Sequence, residues 1–152
     1  MEPIVERIAV WIKDAIDGAQ DEDQTITLAA VRPTIVDWNV EDYKNNDAII
    51  EIIDKVTLEK AGSKRKEVAE WKIYGIIREL PANTAADTHL CRMCETIRRV
   101  MFRGNVKGQA CGGLALNIDC PEDNFSIMTG GIVAEVTVQV QYWTAIDSGY
   151  RQ

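Results

Sequence analysis

The chain has 152 residues, 46% of them hydrophobic and 27% charged, which suits one soluble globular domain with its own core. A formal net charge of −7 argues against general affinity for nucleic acid, because phosphate binding needs clustered Lys and Arg. No uncharged apolar run approaches the roughly 20 residues of a membrane helix. The start Met1-Glu2-Pro3-Ile4 lacks the basic and apolar blocks of an export signal, so the expected place of synthesis and residence is the cytoplasm.

Residues 3–17 read as a helix: Ile4, Ile8, Trp11, Ile12, Ala15 and Ile16 recur on one face, Pro3 suits the first turn and Gly18 the stop. Residues 20–23 form an acidic turn. Residues 25–31 are a strand candidate, broken at Arg32-Pro33 and resumed by Ile35, Val36 and Trp38. The polar stretch 39–47 predicts an exposed loop. Two strand-like runs follow, 49–59 and 68–80, joined by Lys60-Ala-Gly-Ser-Lys-Arg-Lys66. They predict a long hairpin with a basic tip, with Ile50, Ile52, Val56 and Leu58 sharing one face of its first strand.

Pro81 ends the hairpin. Thr84 and Asp87 have the spacing of a capping box, and Ala86, Leu90, Met93, Cys94, Ile97 and Met101 make a helical stripe that Gly104 closes. Arg98, Arg99 and Arg103 complement the dipole of its last turn. After a Gly-rich connection, 114–118 reads as a short strand and 120–131 as a loop. In the closing run 132–142, Ile132, Ala134, Val136, Val138, Val140 and Tyr142 alternate with polar residues, the mark of a strand with one wet face. Residues 145–152 read as a loose end to a single domain. These elements predict an α+β fold: a mainly antiparallel sheet with a long β-hairpin and two helices packed on one face.

Chemistry is thinly signalled. Cys91-Arg-Met-Cys94, with Cys111 and Cys120, has the composition of a zinc site, but the first pair lies inside a predicted helix and the second is too widely spaced. Reduced thiols in a helix and core are the plainer expectation. His89 is the sole histidine and is expected at the surface or in a helix cap. Residues 104–113 match no phosphate-loop pattern. Lys60, Lys64, Arg65 and Lys66 make either a small anion patch or a solvated end whose charges discourage edge aggregation. No nucleophile–base pair or cofactor motif emerges, so no enzyme is expected.

The order of elements resembles the tail terminator (tail completion) proteins of long-tailed bacteriophages. Four regions carry the resemblance: the amphipathic helix ending at Ile16, the hairpin 49–80 with its charged tip, the stretch 85–100 (Ala-Ala-Asp-Thr-His-Leu-Cys-Arg-Met-Cys-Glu-Thr-Ile-Arg-Arg-Val), and the closing strand 135–143. The resemblance implies a ring homo-oligomer, a hexamer, that sits on the finished tail tube at the head-proximal end of the virion. Such a ring stops polymerisation of the tail-tube protein and meets the head-completion or connector protein. It implies no catalytic residue, no cofactor and no membrane or sequence-specific nucleic-acid partner, and its acidic lumen would let DNA slide without sticking. Expected intersubunit or tube contacts are Trp38 and Tyr43 in the 38–43 loop and Lys60, Lys64, Arg65 and Lys66 at the hairpin tip, with charge reversal at Lys64 and Arg65 expected to impair assembly but not folding. The neighbouring readings are another head–tail connector or tail-tube component and, from a different class, a zinc-stabilised binding module.

Overall fold

A computed structural model describes residues 3–34, 37–103 and 110–145. The protein is α+β, with helices α1 (Ile4–Ile16) and α2 (Ala86–Phe102) and strands β1 (Ala29–Val31), β2 (Asp47–Ala61), β3 (Lys64–Ile77), β4 (Asn117–Asp119), β5 (Asp123–Met128) and β6 (Gly131–Ala145). One six-stranded sheet runs in the order β1-β2-β3-β6-β4, with β5 also paired to β6. All its pairings are antiparallel except β1 with β2.

The sheet grows from its middle. β3 and β6 pair without interruption from Lys64↔Ala145 to Ile77↔Ile132. Strand alternation then sends Ala69, Trp71 and Ile73 of β3, and Ala134, Val136, Val138, Val140 and Tyr142 of β6, to one buried face. Both helices cover that face. Ile4, Ile8, Ile12 and Ile16 of α1 and Met93, Ile97, Val100 and Met101 of α2 join these strand residues in one cluster. Each fully buried Ile or Leu contributes on the order of 1.5–3 kcal/mol. No helix among the described residues is long and apolar enough to cross a membrane.

Several local expectations need correction. The strand expected over 25–31 shrinks to β1, because Ile26 and Leu28 are buried in a connection whose pairing is an isolated Gln20↔Thr27 bridge, with Leu28 bonded to Gly18 and Ala19 and the Ile26 amide donating to Asp21. Residues 39–47 are not simply an exposed loop. A 3-10 turn at Val40–Asp42, capped by the Asn39 side chain, buries Val40 against Ile49, Ile76 and Val133 on the sheet face opposite the helices. The basic residues of the expected tip, Lys60, Lys64, Arg65 and Lys66, all belong to strands, leaving only Gly62 and Ser63 between β2 and β3. The expected loop 120–131 contains β5, and the short strand expected at 114–118 is shifted to β4. The capping box does not form: α2 starts one residue later, with Ala85 as N-cap, and the Asp87 carboxylate accepts from the Thr88 amide. Ala145 is buried in β6 rather than loose. Ile35, Val36, the Gly-rich residues 104–109 and the tail 146–152 lie outside the described residues.

His89 also departs from expectation. It is buried on the inner face of α2, with Nε2 3.4 Å from Asn46 Oδ1 and Nδ1 without a hydrogen-bond partner among the described residues. Burial, reinforced by the Arg92 charge and opposed by Asp21, holds its pKa below the ordinary 6.5. The folded state therefore resists protonation that the unfolded chain accepts. The stability carried by the neutral ring is complete above the unfolded value and is lost as pH falls towards the folded one.

Two measurements follow from this packing. Between pH 7 and pH 5 the melting temperature of the protein should fall further than that of His89→Gln, which has no group titrating there. A methyl group on Gly131 would stand 2.4 Å from the Ile77 carbonyl oxygen, whereas one on Gly75 would meet mainly the flexible Met93 thioether. Gly131→Ala is expected to cost about 1–3 kcal/mol in urea unfolding, and Gly75→Ala less, because a ladder carbonyl cannot move aside as a methionine can.

Candidate assembly surface

The distal half of the β2–β3 hairpin is the most unusual part of the molecule. β1 covers β2 only at residues 47–49, so residues 50–61 form a strand edge without a second strand neighbour among the described residues. An open edge presents unpaired N–H and C=O groups to any chain that can pair with them. Apolar side chains stand exposed along it among charged ones: Ile52, Ile53, Val56 and Leu58 are between 42% and 52% exposed, beside exposed Asp54, Lys55, Glu59 and Lys60.

Two register shifts in the β2–β3 ladder explain this pattern. Ile53 and Leu58 are extra residues, skipped between the Ile52 and Asp54 pairs and between the Thr57 and Glu59 pairs. Each bulge leaves its extra residue unpaired and reverses the alternation beyond it. Ile50 and Ile52 therefore share the helix-bearing face, whereas Val56 pairs with Val68 on the other. The expected single apolar face of Ile50, Ile52, Val56 and Leu58 does not exist; Ile50 alone of the four is buried.

The opposite edge of the sheet is made by β5 and β4. Phe125 and Ile127 of β5 lie opposite Ala134 and Ile132, on the helix-bearing face, and remain 54% and 79% exposed. A cleft of about 380 Å³ separates α2 from this edge, lined by Leu90, Cys91, Cys94, Arg98, Asp123 and Phe125. An ion pair between Arg98 and Asp123 crosses it. The two edges differ in charge. No Lys, Arg or His occurs between Lys107 and Arg151, so the β4–β5 side carries only acids, including Asp119, Glu122 and Asp123. The hairpin carries both signs, with Lys55, Lys60, Lys64, Arg65 and Lys66 beside Glu51, Asp54, Glu59 and Glu67.

A buried carboxylate anchors the hairpin. Glu67 is 2% exposed, accepts from the Tyr142 hydroxyl at 2.7 Å and meets Arg65 Nε at 2.5 Å, with Lys55 Nζ 3.9 Å away. Burial and the adjacent carboxylate push the Tyr142 pKa far up, so the phenol stays protonated and keeps donating. This network fixes where the distal strands lie relative to β6.

The expected contact residues fall in two separate places. Trp38 and Tyr43 are half-buried in an intramolecular aromatic group. Trp38 meets Tyr43 and Tyr74 edge-on at centroid distances of 5.6 and 5.1 Å, and its indole N–H donates to Glu51 at 2.9 Å. They stand beside the proximal part of the hairpin, whereas Lys60 pairs with Arg65 at its far end, next to Ala61↔Lys64 and Glu59↔Lys66. Lys60 and Lys64 are exposed, and Arg65 and Lys66 are half-buried. Sequence reasoning missed Phe125 and Ile127 because the polar residues between and before them resemble a loop. The lack of any basic residue after Lys107 until Arg151 was a legible signal for a distinct surface.

The cysteines divide between core and surface. Cys94 and Cys111 are buried, Cys120 is half-buried and Cys91 is exposed. Burial pushes the Cys94 thiol up to about 11 and those of Cys111 and Cys120 up to about 12, so all three remain protonated and weakly nucleophilic at neutral pH. No three His, Cys, Asp or Glu side chains among the described residues are grouped to hold a metal ion. No protein-family model matches the chain, and no curated protein matches it at a significant level.

The Glu67 network separates two residues that the sequence treated alike. Arg65→Glu would set a carboxylate against Glu67 and is expected to lose about 1–3 kcal/mol in denaturant unfolding, allowing for the partial exposure of the arginine. Lys64→Glu, at an exposed position, should stay within about 0.5 kcal/mol of the parent protein. Equal stability of the two variants would refute the network's role.

Proposed function

We propose that this protein is a structural assembly subunit of a phage or prophage: a tail terminator that closes into a ring, caps the tail tube, stops its polymerisation and presents the surface that joins the head. Its partners are then further copies of itself, the tail-tube protein and a head-completion or connector protein. Its place is the head-proximal end of the virion tail, reached by assembly in the host cytoplasm. The observation that carries this function is the open edge of β2 at residues 50–61, with Ile52, Ile53, Val56 and Leu58 exposed along it. A strand edge with exposed aliphatic side chains aggregates unless it is matched to a partner, and edge pairing is a general mode of protein recognition.

Three further features support the same role. The sheet has two dissimilar edges, as head-to-tail contacts require if they are to close a cycle. The order of the helices, hairpin and closing strand is the one on which the resemblance to tail terminators rests. Raised thiol pKa values and a buried, neutral His89 leave these groups poorly suited to nucleophilic or acid–base work at neutral pH.

Native mass spectrometry over a concentration series, with metal analysis of the same sample, tests the proposal. A metal-free hexamer, visible as a ring by negative-stain electron microscopy, is the expected result. A monomer carrying one zinc ion would replace this function with that of a metal-stabilised binding module.

A further inference from the structure

We infer that β2 of one copy pairs antiparallel with β5 of the next, joining neighbouring subunits through a continuous sheet. This contact rests on the self-assembly proposed above and specifies the surfaces that make it. Strand direction comes first. β2 opposes β3, β3 opposes β6 and β6 opposes β5, so β5 runs opposite to β2. A copy advanced along the sheet without being turned over therefore brings its β5 to its neighbour's β2 in the antiparallel sense, the more stable pairing.

Register comes next, and one shift satisfies two independent demands. Phe125 lies level with Ala134, and Ile52, through Trp71, lies level with Val138. Asp123 lies level with Val136, and Lys55, through Ala69, lies level with Val140. A stagger of four residues, about 13 Å along the strands, sets Phe125 beside Ile52 and Asp123 beside Lys55 at once. All four then project from the helix-bearing face, which is the side-chain phase that pairing requires. The same stagger brings Ile127 level with Ile50, where the cover of β1 ends.

Burial selects a second copy joined head to tail over a two-fold contact. Pairing β2 with another β2 would leave Phe125 and Ile127 exposed, and pairing β5 with β5 would leave Ile52 and Ile53 exposed while bringing two copies of Asp123, the one charged residue of β5, into the same contact. Joining β2 to β5 sets Asp123 beside Lys55 and covers the apolar residues of both.

Two surface variants test the contact. Ile52→Asp with Ile53→Asp alters the β2 edge, and Phe125→Asp with Ile127→Asp alters the β5 edge; Ile52→Thr, which keeps strand propensity, replaces the first should it fold poorly. Each variant, checked by circular dichroism, is expected to stay folded and to self-associate at least about thirtyfold more weakly, the loss typical of a residue central to an interface. Mixed in equal amounts, the variants retain one intact edge each and are expected to form a one-to-one heterodimer and nothing larger. Variants that assemble like the unmodified chain would overturn this contact and leave the ring function standing. Weakened variants whose mixture gives no heterodimer would overturn the head-to-tail pairing. An unmodified chain that stays monomeric at millimolar concentration would overturn both the contact and the function.

Discussion

The pairing of β3 with β6 is the constraint on which the rest of the molecule depends. It is long, it has no bulge, and it sets the phase of every side chain on both faces of the sheet. A slip of β6 by one residue against β3 would turn Val136 and Val138 out of the core and bring Glu135 and Gln139 in. Polar contacts on the outer face oppose that slip, with Lys72 3.8 Å from Glu135 and Gln139 donating to Glu70 at 3.0 Å. On the inner face the Tyr142–Glu67 hydrogen bond joins the same two strands. α1, α2 and the 3-10 turn at Val40 dock onto a surface that this ladder has already defined.

β2 and β5 stand outside that certainty. Each is bonded on one side by the central strands and keeps exposed apolar residues on the other. The architecture thus combines a rigid middle with two chemically distinct margins, and an assembly function places its contacts at those margins. Function would then lie in the edges of the sheet rather than in a pocket, and this accounts for the weak signal from the usual marks of a site. The groups that ordinarily attract attention, the cysteines and the histidine, serve chiefly as core: Cys94, Cys111 and His89 are buried, and their surroundings favour the neutral forms.

The legible parts of the fold were those in which burial leaves a period in the sequence. β6 alternates along most of its length, and α1 and α2 repeat their apolar residues at helical spacing, so the α+β class and the hairpin could be read directly. β5 could not, because Asp123, Asn124 and Ser126 are polar and its apolar residues face water. The bulges at Ile53 and Leu58 hid the true faces of β2, since a skipped residue leaves no mark in composition. His89 was nearer to being readable: it stands four residues before Met93 and shares the stripe that continues to Ile97 and Val100. Its residue type outweighed its position, and the position was the better guide. Trp38 and Tyr43 were singled out as contact residues of an assembly, yet Tyr74 arrives from a strand distant in sequence to pack against Trp38.

The two extra residues in β2 bear on shape as well as on burial. Each makes that strand longer than its partner over the same stretch of ladder, and a bulge adds local bend and twist. A flat ribbon of copies, the geometry of a fibril, needs edges that repeat without such defects. An edge coiled in this way would turn each copy that paired with it relative to the last. In the assembly proposed above, the same backbone irregularity that exposes Ile53 and Leu58 would supply curvature, and curvature is what allows a chain of identical contacts to come back to its starting point.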